Sequence, residues 1–209
     1  IGTNNLIING VKQLNKVSHS VVSDRIEAGS FAIASSITMG NVEINNINPK
    51  NLTEFINVLR MTGTRIDVAK NSLNVSCSKR PEPFDVITNP YPGFPTDLQA
   101  QYMALMAISN GKTLIKETIF ENRFMHVPEL MRMGAKISIN HQEAEICGVN
   151  KLKGAKVMAS DLRASMCLIL GALSASGTSE IDGLYHLDRG YENLENKLTN
   201  LGAIIERSN

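Results

Sequence analysis

Three stretches of this chain repeat one pattern, and an internal repeat restricts the possible folds more than any other feature of the sequence. Each copy opens an apolar stretch with a Ser/Thr-Asp pair, has a glycine after that stretch, and has a second glycine further on. The pairs are Ser23-Asp24, Thr96-Asp97 and Ser160-Asp161, and the glycines are Gly40, Gly63, Gly111, Gly134, Gly177 and Gly202. Repeats of this length indicate supersecondary units that stack to bury a shared core. Features common to the copies are therefore interpreted as structural, and features that differ are candidates for chemistry.

The second copy gives the clearest order of elements. Its apolar side chains recur at helical spacing, Thr96 and Gln99 have the spacing of a capping box before them, and Gly111 ends the helix. The remaining pattern predicts strands over 85–88 and 113–119, a helix over 124–133 and a hairpin over 135–139 and 144–148. This copy is therefore predicted to be a βαβαββ unit.

The other two copies follow the same order, which predicts an α/β fold of three repeats. The first has a helix from Asp24, a strand over 42–47, a helix over 52–61 and a hairpin over 65–77. The third has a helix from Asp161, a strand over 178–184, a helix over 191–200 and a strand over 203–206. The first helix of each copy is rich in small residues, so we expect these helices inside and the sheets outside.

Both ends of the chain indicate that the repeats continue beyond it. Residues 8–14 (INGVKQL) match residues 146–152 (ICGVNKL), which form the last strand and exit of the second copy. Residues 6–11 are therefore predicted to be the last strand of an earlier repeat, and 1–17 to belong to another domain. The domain over 18–209 divides approximately into 18–80, 81–150 and 151–209. Its third unit lacks a second hairpin strand, so we expect a strand from elsewhere to cover that edge.

Composition excludes several classes of function. The net charge of +1 provides no bulk attraction for nucleic acid or for an anionic membrane, and no apolar run is long enough to span a bilayer. Three widely spaced cysteines, Cys77, Cys147 and Cys167, are interpreted as reduced core thiols of an intracellular protein. The four histidines have no neighbours at metal-ligand spacing, so no metal site is predicted.

The copies differ at the corners where a strand leads into a helix. Arg123 and Arg189 follow Gly111 and Gly177 by the same number of residues, and Arg163 follows the helix-opening Asp161. If these corners converge, the three arginines line one cleft. Guanidinium groups bind phosphate and carboxylate through paired hydrogen bonds, and helix N-termini also favour anions.

Asp97 would face this cationic cleft, but each candidate also has an ordinary interpretation. An aspartate at a helix start is usually a cap, and this suffices for Asp24 and Asp161. An arginine there usually forms a surface ion pair, and Glu121 and Asp188 are available partners for Arg123 and Arg189. His126 fits a packed or exposed helix position. The Pro-Gly-Phe-Pro approach to Asp97 is a rigid loop that fixes the direction of its side chain, which favours a functional role there.

Five segments resemble the UDP-N-acetylglucosamine 1-carboxyvinyltransferase family, the enolpyruvyl transferases of peptidoglycan synthesis. They are residues 23–29 (SDRIEAG), 89–101 (NPYPGFPTDLQAQ), 117–130 (ETIFENRFMHVPEL), 161–165 (DLRAS) and 185–192 (YHLDRGYE). The resemblance runs through nearly the whole chain. It implies an inside-out α/β barrel of three βαβαββ units, incomplete here, and it places this chain in the C-terminal half of a cytoplasmic two-domain enzyme.

The resemblance also implies a reaction and a set of site residues. The family transfers enolpyruvyl from phosphoenolpyruvate to the 3′-hydroxyl of UDP-N-acetylglucosamine and releases phosphate, with no metal or organic cofactor. Asp97 matches the proposed general base, and Asp97 and Ile119 match contacts to the UDP-sugar, with Phe120 beside them. The positions of Arg123, Arg163 and Arg189 match arginines around the phosphoenolpyruvate carboxylate and phosphate.

The family's reactive cysteine, an aspartate in some members, lies in the other half, so we expect this chain alone to be inactive and to need its missing N-terminal half as partner. The cysteines present here do not match the reactive position. Two alternatives stay open. In the first, the chain is a non-catalytic scaffold or ligand-binding module of the same fold. In the second, it belongs to an enolpyruvyl transferase with another acceptor.

Overall fold

A computed structural model describes residues 5–208 and shows an alternation of helices and strands. The α-helices are α1 (Arg25–Ile37), α2 (Thr53–Met61), α3 (Gln99–Met106), α4 (Val127–Arg132), α5 (Leu162–Ser174) and α6 (Leu194–Asn200). The strands are β1 (Asn41–Asn45), β2 (Arg65–Val68), β3 (Ser72–Ser76), β4 (Val86–Ile87), β5 (Lys112–Lys116), β6 (Lys136–Asn140), β7 (Glu143–Cys147), β8 (Lys156–Met158) and β9 (Glu180–Asp182). Short 3₁₀ helices cover Pro49–Leu52, Thr96–Leu98 and Leu184–Arg189.

Each of the three copies contributes its own sheet. The first is antiparallel in the order β1-β3-β2, the second has the order β4-β5-β7-β6, and the third is the parallel pair β8-β9. In the second sheet β4 pairs parallel with β5, while β7 pairs antiparallel with both β5 and β6. The second copy is therefore the predicted βαβαββ unit.

The first helices of the three copies, α1, α3 and α5, contact one another at the centre of the molecule. All eight residues of α3 are buried, including Gln99 and Gln101, so this helix is enclosed on every side, whereas its apolar spacing predicts an amphipathic helix with one buried face. Gly29 of α1 permits the close approach of the next copy, because a Cβ there would lie 2.5 Å from Leu98 Cδ1. Helices inside and sheets outside confirm the predicted arrangement. The three sheets remain separate, so the part of the chain described here does not close a barrel.

The second glycine of each copy has the same left-handed backbone conformation in all three copies. Gly63, Gly134 and Gly202 have φ values of +88°, +93° and +97°, and each directly follows the last turn of a helix. A left-handed residue at this place lets the amide reach back to a helix carbonyl, and glycine adopts it without steric cost. The helices predicted over 52–61 and 191–200 end where the sequence placed their ends, and the helix predicted over 124–133 ends one residue earlier.

The aspartates of the three copies do not behave alike. Asp24 accepts hydrogen bonds from the Ile26 and Glu27 amides at 2.7 and 3.3 Å, and Asp161 accepts from those of Arg163 and Ala164 at 2.8 and 2.9 Å. Both therefore cap their helices, as predicted. In contrast, the second copy begins with a 3₁₀ turn that has no side-chain cap.

The predicted capping box at Thr96 and Gln99 is therefore wrong. The Thr96 hydroxyl donates to Glu117 Oε2 at 2.9 Å, so it is bound by a different segment of the chain. The Gln99 side chain is buried and makes no hydrogen bond among the described residues. Neither side chain caps the helix, and the Asp97 carboxylate is left available for contacts outside its own helix.

Several predicted elements are shorter or absent. The helix predicted over 124–133 is only α4, and that predicted over 191–200 begins at Leu194. The strands predicted over 6–11 and 203–206 do not form, and Leu6, Ile7 and Ile8 are highly exposed. A strand requires a neighbour to pair its backbone groups, and residues 5–208 provide none at either place.

Two of the three cysteines are buried, as predicted for core thiols, while Cys147 is half-buried. Burial raises the pKa of the Cys167 thiol, which keeps it protonated and unreactive. Among the described residues, no helix is long and apolar enough to cross a membrane.

Candidate functional site

One carboxylate and two guanidinium groups from three distant segments meet at one end of the central helices. Asp97 Oδ1 accepts a hydrogen bond from Arg123 Nη2 at 2.9 Å and another from Arg163 Nε at 3.1 Å. All three side chains are partly exposed, with Asp97 at 39%. The cluster carries one negative and two positive charges. It therefore retains a net positive charge that favours an anionic ligand.

Local structure explains how the two arginines reach Asp97. Arg163 lies in the first turn of α5, where the Asp161 carboxylate binds its amide and fixes the start of the helix. Arg123 lies in the loop between β5 and α4, and its guanidinium stacks on the Phe120 ring 4.7 Å from the ring centroid. This cation–π contact orients the Arg123 side chain within an otherwise irregular loop.

A cavity of about 570 Å³ opens beside Asp97. Its walls include Arg25, Asn51 and Tyr91, and the Arg25 guanidinium lies over the Tyr91 ring at 5.3 Å from the centroid. Asp97 Oδ2 accepts no hydrogen bond from any residue between 5 and 208, whereas Oδ1 binds both arginines. Asp97 thus lines the cavity and keeps one carboxylate oxygen without a hydrogen bond from the described residues.

The third predicted arginine is not part of this cluster. Arg189 ends the 3₁₀ helix Leu184–Arg189 and is exposed, and its side chain makes no hydrogen bond or ion pair within the described chain. One interpretation of the sequence allowed an ion pair between Arg189 and its neighbour Asp188, and this pair does not form. Instead, Arg207 donates to both Asp188 oxygens at 2.7 and 3.0 Å and holds the pKa of that carboxyl below its usual value. Glu121 likewise forms no ion pair in residues 5–208.

Ile119 and Phe120 lie in the turn after β5 with 37% and 48% of their surface exposed. Both backbone amides donate to Glu117, which sequence reasoning did not single out. Glu117 is almost completely buried, and Thr88 and Thr96 also donate to it. This glutamate lies within the segment 117–130 that carries the family resemblance, but its two hydroxyl partners, Thr88 and Thr96, lie in other segments, so the sequence does not reveal its burial. Arg25, Asn51 and Tyr91 were missed as cavity residues for the same reason.

Behind Arg163 lies a buried polar group that joins all three copies. The Ser30 and Tyr191 hydroxyls are 2.8 Å apart, and Gln101 Nε2 donates to each at 3.4 Å. Burial raises the pKa of Tyr191, and the hydrogen bond with Ser30 and the neighbouring Arg163 act in the opposite direction. These bonds tie α1 and α3 to the segment after Arg189.

Replacing Tyr191 with phenylalanine should destabilise the protein by about 1–3 kcal/mol. The change leaves Ser30 and Gln101 buried with fewer partners and adds no compensating contact. The free energy of unfolding is measured from urea titration. Tyr185→Phe is the control, since that side chain is 70% exposed. Equal stability of the two variants would contradict a role for this hydrogen-bonded group.

His126 packs at the start of α4 and is not a member of the cluster. Its side chain is buried, its Nε2 atom has no hydrogen-bond partner in the described structure, and burial lowers its pKa from 6.5 to about 4. Nearby Asp161 and Arg123 have opposing effects. The packed interpretation of this residue is confirmed.

Acidification should therefore weaken the fold through His126. As the pH falls from about 6.5 to about 4, the unfolded chain binds a proton here that the folded chain does not. The free energy of unfolding is expected to decrease by up to about 3 kcal/mol over that range. Urea titration at several pH values should show a smaller decrease for His126→Gln, while His19→Gln, in an exposed segment, retains the decrease of the parent. Parallel pH curves for all three proteins would refute the assignment.

The fold and the cluster together define an α/β repeat protein in which two arginines hold a carboxylate beside an open cavity. A family model described as EPSP synthase (3-phosphoshikimate 1-carboxyvinyltransferase) matches residues 1–198. The chain belongs to this family of enolpyruvyl transferases.

Among curated proteins, close relatives are UDP-N-acetylglucosamine 1-carboxyvinyltransferases. The chain is 52% identical to that of Pelagibacter ubique over 202 residues, covering 97% of this chain and 48% of the relative. It is 52% identical to that of Desulfosudis oleivorans over 206 residues, covering 99% of this chain and 49% of the relative. The chain therefore spans about half the length of the relatives it matches.

Solved structures show the same fold. The enolpyruvyl transferase NikO from Streptomyces tendae is 26% identical with a TM-score of 0.79, over 88% of this chain and 44% of that protein. EPSP synthase from Acinetobacter baumannii is 18% identical with a TM-score of 0.73, over 90% of this chain and 48% of that protein. The second likeness concerns the fold alone.

Proposed function

We propose that this chain is the C-terminal half of an enzyme that transfers enolpyruvyl from phosphoenolpyruvate to the 3′-hydroxyl of UDP-N-acetylglucosamine. The observation that carries the proposal is Asp97, held by two arginines at a cavity with one carboxylate oxygen unpaired. The 52% identity to relatives with this activity in their names supports the choice of acceptor. The reaction is the first committed step of peptidoglycan synthesis.

Asp97 acts as the general base in this proposal. The 3′-oxygen forms a bond to C2 of phosphoenolpyruvate, the bond from C2 to the phosphate oxygen breaks, and inorganic phosphate leaves. The hydroxyl proton passes to Asp97, and a base must lie within hydrogen-bond reach of the proton it accepts. The unpaired Oδ2 atom suits this task, because Oδ1 is held in place by Arg123 and Arg163.

The arginines bind the anionic substrate. Phosphoenolpyruvate carries a carboxylate and a phosphate, and guanidinium groups placed at both stabilise the charge that moves to the departing phosphate. Arg123 and Arg163 lie at Asp97, and Arg189 has a guanidinium free of ion pairs in residues 5–208. We assign all three to phosphoenolpyruvate, and Ile119 and Phe120 to the UDP-sugar. No metal or organic cofactor takes part in this scheme.

The other half of the enzyme completes the site, and residues 1–17 belong to its last repeat. The cavity beside Asp97 is open, so both substrates would be poorly enclosed without a second domain. We place the reaction in the cytoplasm, since multiply charged substrates do not cross a bilayer unaided. Fractionation of cells that express the full-length protein tests this location, and recovery with the membranes would contradict it.

Phosphate release tests the proposed reaction. The full-length protein containing this half should release inorganic phosphate from phosphoenolpyruvate when UDP-N-acetylglucosamine is present, and the 209-residue chain alone should not exceed a blank. Release with shikimate 3-phosphate instead would identify another acceptor. No release with either acceptor would favour a non-catalytic module, and release by the isolated chain would refute the need for the missing half.

A further inference from the structure

Glu117 is a buried carboxylate that the proposed reaction does not use. It follows β5, only 1% of its surface is exposed, and no lysine or arginine pairs with it in the described part of the chain. Burying a carboxylate without a cation is costly unless hydrogen bonds replace its water. The hydrogen-bond partners of Glu117 therefore indicate which parts of the structure the buried carboxylate holds in place.

The two oxygens of Glu117 bind different segments. Oε1 accepts from the Ile119 amide at 2.8 Å, the Phe120 amide at 3.2 Å and the Thr88 hydroxyl at 2.9 Å. Oε2 accepts from the Thr96 hydroxyl at 2.9 Å. One oxygen thus shapes the turn that follows β5, and the other holds the 3₁₀ turn at the start of α3.

Both segments lead directly to the cluster around Asp97. Thr96 immediately precedes Asp97, whose turn has no cap of its own. Phe120 carries the guanidinium of Arg123 on its ring, and Arg123 in turn binds Asp97. Glu117 therefore links the Thr96 side chain to the backbone of the turn after β5, and within the described chain it forms no hydrogen bond or ion pair with the charged groups of the cluster.

We propose that Glu117 is a positioning residue that sets the geometry of the general base and of the acceptor-binding turn. The proposal rests on the function proposed above and deepens it. Through Oε2 and Thr96, Glu117 fixes the position from which Asp97 receives the proton. Through Oε1, it fixes the turn of Ile119 and Phe120 that contacts the UDP-sugar. The two oxygens thus affect different kinetic constants.

Changes at Thr96 isolate the first of these two roles. In the full-length protein, Thr96→Val removes the hydroxyl at nearly constant volume and leaves Oε2 unpaired, so kcat is expected to fall about tenfold or more. The KM for UDP-N-acetylglucosamine should stay within about twofold, because the Oε1 bonds remain. Thr96→Ser restores the hydroxyl and should restore most of kcat. A merely structural role would not separate kcat from KM in this way.

Changes at Glu117 test both roles together. Glu117→Ala should lower kcat and raise the KM for UDP-N-acetylglucosamine, each about tenfold or more, while Glu117→Gln keeps an oxygen for the two amides and should retain a near-normal KM. Glu143 is a partly exposed carboxylate on neighbouring β7 that pairs with Lys116, so Glu143→Gln is the control and should match the parent in both constants.

The outcomes separate this inference from the proposed function. An inactive parent protein would overturn the proposed function and this inference with it. An active parent with unchanged kinetics in Thr96→Val and Glu117→Ala would overturn only the role of Glu117. Near-ultraviolet circular dichroism checks folding, and if Glu117→Ala does not fold, the Thr96→Val and Thr96→Ser pair decides, since loss of kcat in both would contradict the proposal.

Discussion

Asp97→Asn in the full-length protein should lower kcat by about 10²–10⁴-fold, the usual contribution of a general base. Asparagine has the same shape, and its carbonyl oxygen can still accept the hydrogen bonds that Arg123 and Arg163 donate to Oδ1. It cannot accept the hydroxyl proton at neutral pH. The dissociation constant for UDP-N-acetylglucosamine should therefore change little, and calorimetry together with phosphate release measures both quantities.

Asp67→Asn is the control for this experiment. Asp67 is an exposed carboxylate of β2 that also pairs with an arginine, Arg65, far along the chain from the site. Removing its charge is expected to leave kcat unchanged, since exposed pairs contribute little. A near-normal rate in Asp97→Asn would exclude Asp97 from the role of base, whatever the result for the control.

Arg123→Ala is expected to raise the KM for phosphoenolpyruvate by about 10–100-fold, the usual loss for a hydrogen bond to a charged group. The change removes one of the two guanidinium groups at Asp97 and leaves the Phe120 ring without its cation. Steady-state kinetics with each substrate varied in turn distinguishes the two substrates. An effect confined to the KM for UDP-N-acetylglucosamine would show that the assignment of Arg123 is wrong.

Two further variants sharpen this result. Arg123→Lys keeps the charge but loses the planar fork and the stacking, so an intermediate KM is expected. Arg132→Ala removes an exposed arginine of α4 that pairs with Glu129 in its own helix, and it should leave the KM for phosphoenolpyruvate unchanged. If Arg132→Ala had the same effect as Arg123→Ala, general loss of positive charge would explain both.

Candidate site residues followed from the sequence where the repeat served as an internal comparison. The same pattern holds Asp24, Asp97 and Asp161, and the structure shows that the first and third are caps while the second binds arginines. Asp97 was favoured because of the loop that precedes it. That Arg123 and Arg163 lie close together at Asp97 followed from the expectation that the corners of the repeats converge on one cleft.

The same comparison did not extend to every corner. Arg189 occupies the same offset as Arg123 but makes no ion pair in the described residues. Asp188, the residue before Arg189, is bound by Arg207. Glu117 and Tyr91 stand out in no comparison of the copies, and Arg25 was not placed at the cavity, although an arginine follows the helix-opening aspartate in both the first and the third copy. Strands predicted over 6–11 and 203–206 depend on partners that residues 5–208 do not supply.

The sequence by itself determined the units of this protein: the capped starts of α1 and α5, the left-handed glycines at 63, 134 and 202, and the central helices of small residues. These features depend on groups a few residues apart along the chain. Only the tertiary structure decided that Thr96 binds Glu117 rather than capping its helix, and that Asp97 holds both Arg123 and Arg163. Those contacts join segments 21 to 66 residues apart, and their geometry exists only once α1, α3 and α5 have packed together.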